Sequence, residues 1–182
     1  MFLKKFTPPV NDPTQELAQD QLSAWGLKDM SEMQEFISGP RFKTALLEMK
    51  RGGRSIKESL SISNLGVNSL YRKATHLYRL GLFEKAAYFF RVLSLIDYKE
   101  NKYLLALNAC YRKLDKKVEA LMGYYLVFCR DNKNIIALIN LAEIGYELEC
   151  DDDVKNTLNE LDKLVLTDEV RSRVERLRAV MN

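Results

Sequence analysis

The residues most capable of chemistry in this sequence are one histidine and three cysteines. His76 has no cysteine or carboxylate at ligand spacing on the same predicted helix, so neither a metal centre nor a histidine-activated nucleophile is predicted. Cys110, Cys129 and Cys150 are widely separated and form no C-x-x-C motif. We therefore predict free thiols in a reducing compartment, with no catalytic residue, no metal and no cofactor.

Two short motifs resemble ligand-binding loops but lack their defining spacing. The segment KRGGRS, residues 50–55, has no G-x-x-x-x-G-K-[ST] pattern and no preceding strand. It predicts the end of one helix and the start of another. The segment DDDVKNTLNEL lacks the alternating ligands and central glycine of a calcium loop. We expect Asp151 to Asp153 at a helix N-terminus, explained by capping and by the helix dipole.

Composition narrows the class of protein. The chain has 182 residues, of which 47% are hydrophobic, enough for one domain with a real core. Its 28 basic and 25 acidic residues are mixed, for a net charge of +3, so no nucleic-acid partner is predicted. No apolar run approaches the roughly 20 residues of a membrane span, and the opening MFLKK lacks the apolar stretch of a signal peptide. The prediction is a cytoplasmic protein without stable membrane insertion.

Proline divides the chain into two parts. All four prolines lie in the first 40 residues, and the remainder contains none, which favours an all-α fold beyond that point. We predict an N-terminal extension of loop and short helices over residues 1–40, including Trp25, and a helical segment over residues 41–66. Within that segment Phe42, Leu46 and Met49 share one face, which either the chain itself or a second subunit must cover.

Residues 67–182 contain an internal repeat with a period of 34 residues. Aligned positions are Leu70 with Leu104 and Leu138, Ala74 with Asn108 and Ala142, Ala86 with Ala120 and Val154, and Phe90 with Tyr124 and Leu158. This is the tetratricopeptide pattern of paired helices, degenerate in the third unit. We predict three tandem helix pairs in a curved superhelical array, with Phe90 and Leu93 in the core. A final amphipathic helix capped by Thr167 closes the array.

The first helix of each pair lines the concave side of such an array. The lining positions are Tyr71, Thr75 and Tyr78 in the first unit, Leu105, Ala109 and Arg112 in the second, and Ile139, Glu143 and Tyr146 in the third. They are mainly aromatic and aliphatic, and they lack the rows of Lys and Arg that would clamp a carboxylate. An apolar or extended peptide is the predicted ligand. The alternative, that an extra helix simply buries these rings, stays open here.

From the Gly52–Gly53 helix end to the second repeat, the chain resembles a known family. The stretch SLYRKATHLYRLGLFEKAAYFFRVLSLIDYKENKYLLALNACYRKLDKKVEAL is similar to the class II chaperones of bacterial type III secretion systems, which bind hydrophobic translocator proteins. The most specific part is the join of the first two repeats, from VLSLIDY to Cys110. The resemblance covers residues 42–182 and weakens beyond the second repeat.

The resemblance implies a function and a site. It implies a bacterial cytosolic chaperone, frequently a homodimer through its N-terminal helices, that holds an extended, proline-containing translocator segment in its concave groove without ATP. The pocket residues would be Tyr71, Tyr78, Phe83 and Tyr98, with Leu105, Ala109 and Arg112 nearby. The dimerisation candidates are Phe42, Leu46 and Met49. The first forty residues depart from the family pattern, which puts the usual dimer geometry in doubt.

Two other functions remain alternatives. One is a general tetratricopeptide scaffold or regulatory subunit of a secretion apparatus that assembles other proteins. The other is a nucleic-acid-binding helical repeat, suggested by Lys50, Arg51 and Arg54 and by the arginines of the last helix. Because acids are mixed among these basic residues, a solvated surface is the better interpretation.

Overall fold

The protein is described by a computed structural model that covers residues 30–181, so the predicted extension around Trp25 lies outside the described residues. All regular secondary structure in residues 30–181 is helical. The helices are α1 (Met30–Ser38), α2 (Pro40–Lys50), α3 (Ile56–Ser59), α4 (Asn64–Arg79), α5 (Phe83–Ile96), α6 (Asn101–Lys113), α7 (Lys117–Arg130), α8 (Ile135–Glu147), α9 (Asp151–Asp162) and α10 (Asp168–Met181). The all-α prediction is confirmed, and the three predicted helix pairs correspond to α4–α5, α6–α7 and α8–α9.

The chain divides into two compact units, Met1–Cys110 and Tyr111–Asn182. The division falls within α6 rather than in a linker. The sequence-based boundaries at residues 40 and 66 stay a prediction.

The short N-terminal helices follow local signals. Pro40 occupies the start of α2, where its missing N–H costs nothing, and α2 ends before Gly52, whose φ of 77° is left-handed. The ring of Phe42 packs edge-on against Phe36 of α1, with the centroids 5.6 Å apart. Ser55 and Glu58 form a reciprocal capping box at α3. The helix end and new helix start predicted at KRGGRS are confirmed, since α2 ends at Lys50 and α3 begins at Ile56.

The core of the first unit lies between α4 and α5. Leu70 and Ala74 of α4 have no exposed surface, and neither do Ala86, Phe90 and Leu93 of α5. Alanines at the two facing positions allow the helices to approach closely, while Phe90 and Leu93 fill the remaining space. The predicted core positions Phe90 and Leu93 are confirmed.

The second unit has its own core between α8, α9 and α10. It contains Leu138, Ile139, Ala142, Val154, Leu158, Leu161, Val174 and Leu177. Val170 and Met181 of α10 pack against this cluster, so the predicted apolar face of the last helix is confirmed. The N–H of Val170 donates to the Thr167 hydroxyl over 3.4 Å, as predicted for the cap of α10. Gly145 of α8 lets α9 approach, because a Cβ there would lie 3.0 Å from Cγ2 of Val154.

The turns within the three helix pairs share one backbone geometry. A left-handed residue occurs at Gly81, Asp115 and Glu149, with φ of 77°, 54° and 59°. The next N–H donates to the carbonyl five positions earlier, which closes the helix end as a Schellman motif. These bonds run from Leu82 to Leu77 over 3.0 Å, from Lys116 to Tyr111 over 2.9 Å, and from Cys150 to Gly145 over 2.9 Å. The backbone therefore keeps the sequence period of 34 even where the side chains have diverged.

One prediction about α9 needs correction. Asp151 to Asp153 do occupy its first turn, but the N-cap residue is Cys150, and its side chain makes no capping hydrogen bond. The three carboxylates therefore act on the helix dipole rather than as the cap.

Candidate functional site

The candidate site is an aromatic stripe on α4, made of Tyr71, Thr75 and Tyr78. Ser63 starts this helix by accepting the Gly66 N–H over 3.1 Å. Residues four and seven positions after Tyr71 return to the same side of a helix, so the three side chains form one line. The helix buries the adjacent side, which includes Leu70 and Ala74. The stripe is therefore fixed by a helix that is itself anchored in the core.

Tyr71 is held between two other rings. Its ring meets Phe90 of α5 edge-on at a centroid distance of 5.8 Å and Tyr103 of α6 at 5.6 Å. Burial raises the pKa of Tyr71, against the opposing effects of nearby Lys102 and of Thr75. The phenol therefore stays neutral at physiological pH. Tyr71 is half-buried, so part of its ring is pre-positioned at the surface.

Tyr78 and Phe83 form a second aromatic pair at the far end of α4. Their centroids are 5.2 Å apart, with the rings inclined at 68°. Tyr78 is near the end of α4 and Phe83 is the first residue of α5, so the turn at Gly81 brings the rings together. Both side chains are half-buried. The sequence prediction placed both residues in the site, and the structure brings them together.

Thr75 and Leu105, two other predicted lining residues, are almost fully buried. Thr75 is 5% exposed, and its hydroxyl donates to the Tyr71 carbonyl over 2.8 Å. Leu105 is 8% exposed, whereas Ala109 one turn further along α6 is half-buried. Thr75 and Leu105 therefore support the stripe from below, and a ligand at the surface would meet Tyr71, Tyr78, Phe83 and Ala109 first.

Tyr98 lies apart from Tyr78 and Phe83. It follows the C-terminal end of α5, a helix of 14 residues and thus roughly 21 Å long, whereas Phe83 begins that helix. Tyr98 lines a polar cavity of about 420 Å³ near the start of α4. In this cavity Lys57 and Asp97 form an ion pair of 2.7 Å. The four predicted aromatic residues are thus spread along the α4–α5 pair rather than gathered in one pocket.

Arg112, the predicted basic residue of the groove, is engaged by acceptors of α8. Its guanidinium donates to Glu143 over 2.6 Å, to the side-chain oxygen of Asn140 over 2.8 Å, and to Glu147 over 3.2 Å. Arg173 of α10 also donates two hydrogen bonds of 2.7 Å to the carboxylate of Glu143. Burial alone would raise the pKa of Glu143, but the hydrogen bonds from Arg173 and Arg112 outweigh it and lower the pKa. The guanidinium of Arg112 is therefore bound within the protein, as part of an ion network, rather than left open for a ligand.

The sequence prediction missed the importance of Tyr103. Its side chain is 1% exposed and supports the ring of Tyr71 from α6. Burial raises its pKa strongly, with additional contributions from Asp97 and Glu100. Tyr103 precedes the signature leucine Leu104 by one position, so the repeat pattern alone gave no reason to assign it to the aromatic stripe.

A second, larger cavity lies in the second unit. It has a volume of about 730 Å³ and is bounded by α7, α8 and α9. Its apolar wall includes Leu121, Met122, Tyr125 and Phe128 of α7. Across residues 30–181 there is no cluster of three metal-ligating side chains. In the same range no helix has the length and apolar character needed to cross a membrane.

Tandem helix pairs that recur every 34 residues are typical of the tetratricopeptide fold. Solved structures share this fold. The type III secretion translocator chaperone SycD of Yersinia enterocolitica has a TM-score of 0.61 at 21% identity, covering 70% of this chain and 96% of that one. SycD bound to a peptide of the translocator YopD has a TM-score of 0.58 at 21% identity, covering 66% and 98%. PcrH of Pseudomonas aeruginosa with the chaperone-binding region of PopB has a TM-score of 0.58 at 20% identity, covering 64% and 97%.

These likenesses establish the fold of the chain. Neither a protein-family model nor a curated protein matches the sequence. The resemblance inferred from residues 42–182 is thus confirmed at the level of structure, since SycD and PcrH share the fold of this chain.

Proposed function

We propose that this protein is a chaperone of a bacterial type III secretion system that binds an extended segment of a hydrophobic translocator along the α4 stripe. The observation that supports this proposal most directly is the line formed by Tyr71 and Tyr78 on α4. Each of these rings is partly exposed and packs edge-on against a neighbouring ring. The structural relatives support the proposal, since SycD binds a peptide of the translocator YopD and PcrH binds the chaperone-binding region of PopB.

The spacing of the two rings suits an extended ligand. Tyr71 and Tyr78 are seven positions apart, which corresponds to about 10 Å along a helix. A ligand in the extended polyproline II conformation advances by about 3.1 Å per residue with three residues per turn, so side chains three residues apart lie on the same face and match this distance. We expect a ligand with two apolar side chains at positions i and i+3, one against each aromatic pair.

The chemistry of the stripe favours capture without catalysis. Edge-on rings offer apolar area at fixed geometry, so little conformational freedom is lost on binding. Binding a segment of the client before secretion would keep it soluble and separate from other clients. This mechanism needs no ATP, cofactor or nucleic acid, and it operates in the bacterial cytoplasm without insertion into a membrane.

The proposal includes a homodimer, with Phe42, Leu46 and Met49 as the predicted contact residues. Phe42 is 4% exposed because it packs on Phe36 within the chain, while Leu46 and Met49 are half-buried. Leu47, at 53% exposure, is the more accessible apolar side chain of α2. A second subunit at this helix would thus meet Leu47 together with Leu46 and Met49.

The test is co-expression with a candidate hydrophobic translocator from the same bacterium, followed by size-exclusion chromatography with light scattering. Wild type and the variants Tyr71→Ala/Tyr78→Ala and Tyr125→Ala are compared. Tyr125 is an exposed tyrosine on α7 and controls for loss of a surface ring. We expect wild type and Tyr125→Ala to hold the client in a soluble complex, and the folded double variant to lose it.

Equal recovery of the client with the double variant would show that the α4 stripe is not the binding surface. Aggregation of the client with wild type would contradict the chaperone function and favour the general scaffold. Circular dichroism and thermal unfolding of the double variant separate lost binding from lost folding.

A further inference from the structure

A groove runs between α7 and α9, with Leu141 and Gly145 of α8 in its floor. It is the 730 Å³ cavity of the second unit, and we call it the α7–α9 groove. The connections from α7 to α8 and from α8 to α9 are short, so α7 and α9 run in the same direction on either side of α8. The lining residues lie between Leu121 and Lys163, so the groove shares no residue with the aromatic stripe of α4.

The two walls of the groove differ in chemistry. The α7 wall is apolar and consists of Leu121, Met122, Tyr125 and Phe128. Met122 and Tyr125 are 67% and 59% exposed, which is unusual for large apolar side chains of a folded domain. The α9 wall is polar and consists of Asp153, Asn156, Thr157, Asn159, Glu160 and Lys163. An exposed apolar patch with a polar rim is typical of a protein-interaction site.

The charges on the α9 wall are paired at one end only. Glu160 accepts from Lys163 over 2.6 Å, so this end is close to neutral. Asp153 lines the other end, and Asp152 is on the same side of α9 because it precedes the lining residue Asn159 by two turns. Both carboxylates are exposed, and neither has an ion-pair partner in the described part of the chain. This end of the groove is therefore acidic.

The lysines of the two walls leave these carboxylates unneutralised. Each helix has one lysine near this end. Lys117 of α7 is paired with Glu147 over 3.1 Å. Lys155 of α9 is two positions after Asp153 and therefore lies on the other side of the helix. A partner that brings a cation to the acidic end is complementary to the groove in charge.

The apolar wall favours a helix over an extended segment. Along α7 the lining side chains offer one hydrogen-bonding group, the hydroxyl of Tyr125. An extended backbone laid on this wall would bury N–H and C=O groups without partners, whereas a helix pairs these groups internally. From Asp153 to Lys163 the α9 wall is about 15 Å long, which corresponds to about three helical turns.

We infer that the α7–α9 groove is a second protein-binding site, which binds an amphipathic helix of a partner protein with lysine or arginine at one end. The apolar side of the partner helix lies against the α7 wall, as in other helix-in-groove complexes. Its basic end lies beside Asp152 and Asp153. This site goes beyond the proposed chaperone function and does not rest on it, because client binding is assigned to α4.

Binding of synthetic peptides tests the chemistry of the partner. The probe is a fluorescein-labelled peptide of about 12 residues, held helical by a hydrocarbon staple on its polar side. It carries leucines at positions i, i+3 and i+7 and two lysines in its last turn. Two matched peptides replace both lysines by glutamine or by glutamate. Fluorescence anisotropy with the full chain is expected to show the tightest binding for the lysine peptide and the weakest for the glutamate peptide. Equal binding of all three, or no binding, would overturn the inference.

Asp152→Asn/Asp153→Asn tests the acidic end of the groove. This variant is expected to weaken binding of the lysine peptide about five- to tenfold and to remove the preference among the three peptides. Asp168→Asn/Glu169→Gln is the matched control, because it removes two carboxylates from the first turn of α10, which does not line the groove. An equal loss in the control would show an effect of net charge alone and would contradict the site.

Tyr125→Ala tests the apolar wall and is expected to weaken all three peptides at least fivefold. Val180→Ala is the control, since Val180 of α10 is also 59% exposed but lies outside the groove, and it should leave binding unchanged. Light scattering of the wild type without peptide tests for a different occupant. Self-association that Tyr125→Ala abolishes would assign the groove to a second copy and would overturn the inference.

The stripe variant separates this site from the client site. Tyr71→Ala/Tyr78→Ala is expected to bind the lysine peptide as tightly as wild type does, although the proposed function predicts that it loses the client. Loss of the peptide from the folded double variant would place the peptide on α4 and would overturn the inference. Failure of the client experiment alone would leave the peptide results unchanged, so the two proposals can fail separately.

Discussion

Arg112 of α6 and Glu143 of α8 are joined by a hydrogen bond of 2.6 Å across 31 positions of the sequence. Both side chains are mostly shielded, with 28% and 23% exposure. Since Arg173 binds the same carboxylate, Glu143 holds together two arginines from different helices. Removing the carboxylate would leave two cations facing each other, while removing one arginine leaves Glu143 with the other.

The first prediction concerns the stability that Glu143 provides. Glu143→Ala is expected to lower the free energy of unfolding by about 1–3 kcal/mol, less than for a fully buried pair because the side chains keep some exposure. Urea unfolding measures the loss. Asp162→Ala is the control, since its ion pair with Arg178 is about half exposed and is worth about 0–1 kcal/mol. A Glu143 effect no larger than that of Asp162 would contradict the bridging role.

The second prediction concerns pH. The pKa of Glu143 is lowered in the folded protein from an ordinary value of 4.5, so the unfolded chain binds a proton first as pH falls. The contribution of Glu143 to the free energy of unfolding is therefore fully present above pH 4.5, and it is lost as pH falls through the lower pKa of the folded state. Glu143→Gln is expected to flatten the decline of stability with acid in that window. Parallel wild-type and variant curves below pH 4.5 would rule this out.

The third prediction concerns the shared turn geometry. Asp115→Gly and Glu149→Gly are each expected to stabilise the protein by up to about 1 kcal/mol, because glycine adopts the left-handed conformation without steric strain. Gly81→Ala is expected to destabilise by a similar amount. Lys116→Gly, beside Asp115 but with a φ of −88°, serves as the control and should not stabilise. Thermal and urea unfolding give the comparison, and a gain at Lys116 would argue against the conformational explanation.

The fourth prediction concerns the close approach at Gly145. Alanine there favours the helix by about 1 kcal/mol, but its Cβ would lie 3.0 Å from Cγ2 of Val154. Gly145→Ala should therefore be more favourable in a Val154→Ala background than in wild type. A double-mutant cycle by urea unfolding measures the coupling. Additive effects of the two substitutions would mean that Val154 moves away without cost.

Much of the fold follows from spacing that the sequence displays. The 34-residue period located the three helix pairs, and Phe90 and Leu93 were assignable to the core because each recurs at a packing position. Ser55 and Glu58 already carry the capping-box pattern of α3. These features depend on residues a few positions apart, or on a repeat of one local pattern.

The candidate site was less predictable because its side chains depend on distant neighbours. Arg112 occupies a lining position, but its partners Asn140 and Glu143 are 28 and 31 positions further along the chain. Thr75 and Leu105 also occupy lining positions, yet the packing around them leaves each below a tenth exposed. A helical period gives the direction of a side chain, whereas its exposure depends on what the other helices place beside it.

The three cysteines differ in how deeply they are buried, so the reactivity of each thiol can report local opening of the fold around it. Burial raises the pKa of Cys110 to about 12, so its thiol stays protonated and unreactive at pH 8 while it is buried. Cys129 is exposed and Cys150 is intermediate. A thiol-alkylating reagent should therefore label Cys129 first, and labelling of Cys110 should follow the fraction of molecules in which α6 is transiently open. If a bound client slows the labelling of Cys110, the same reagent reports ligand binding at α6 without any engineered label.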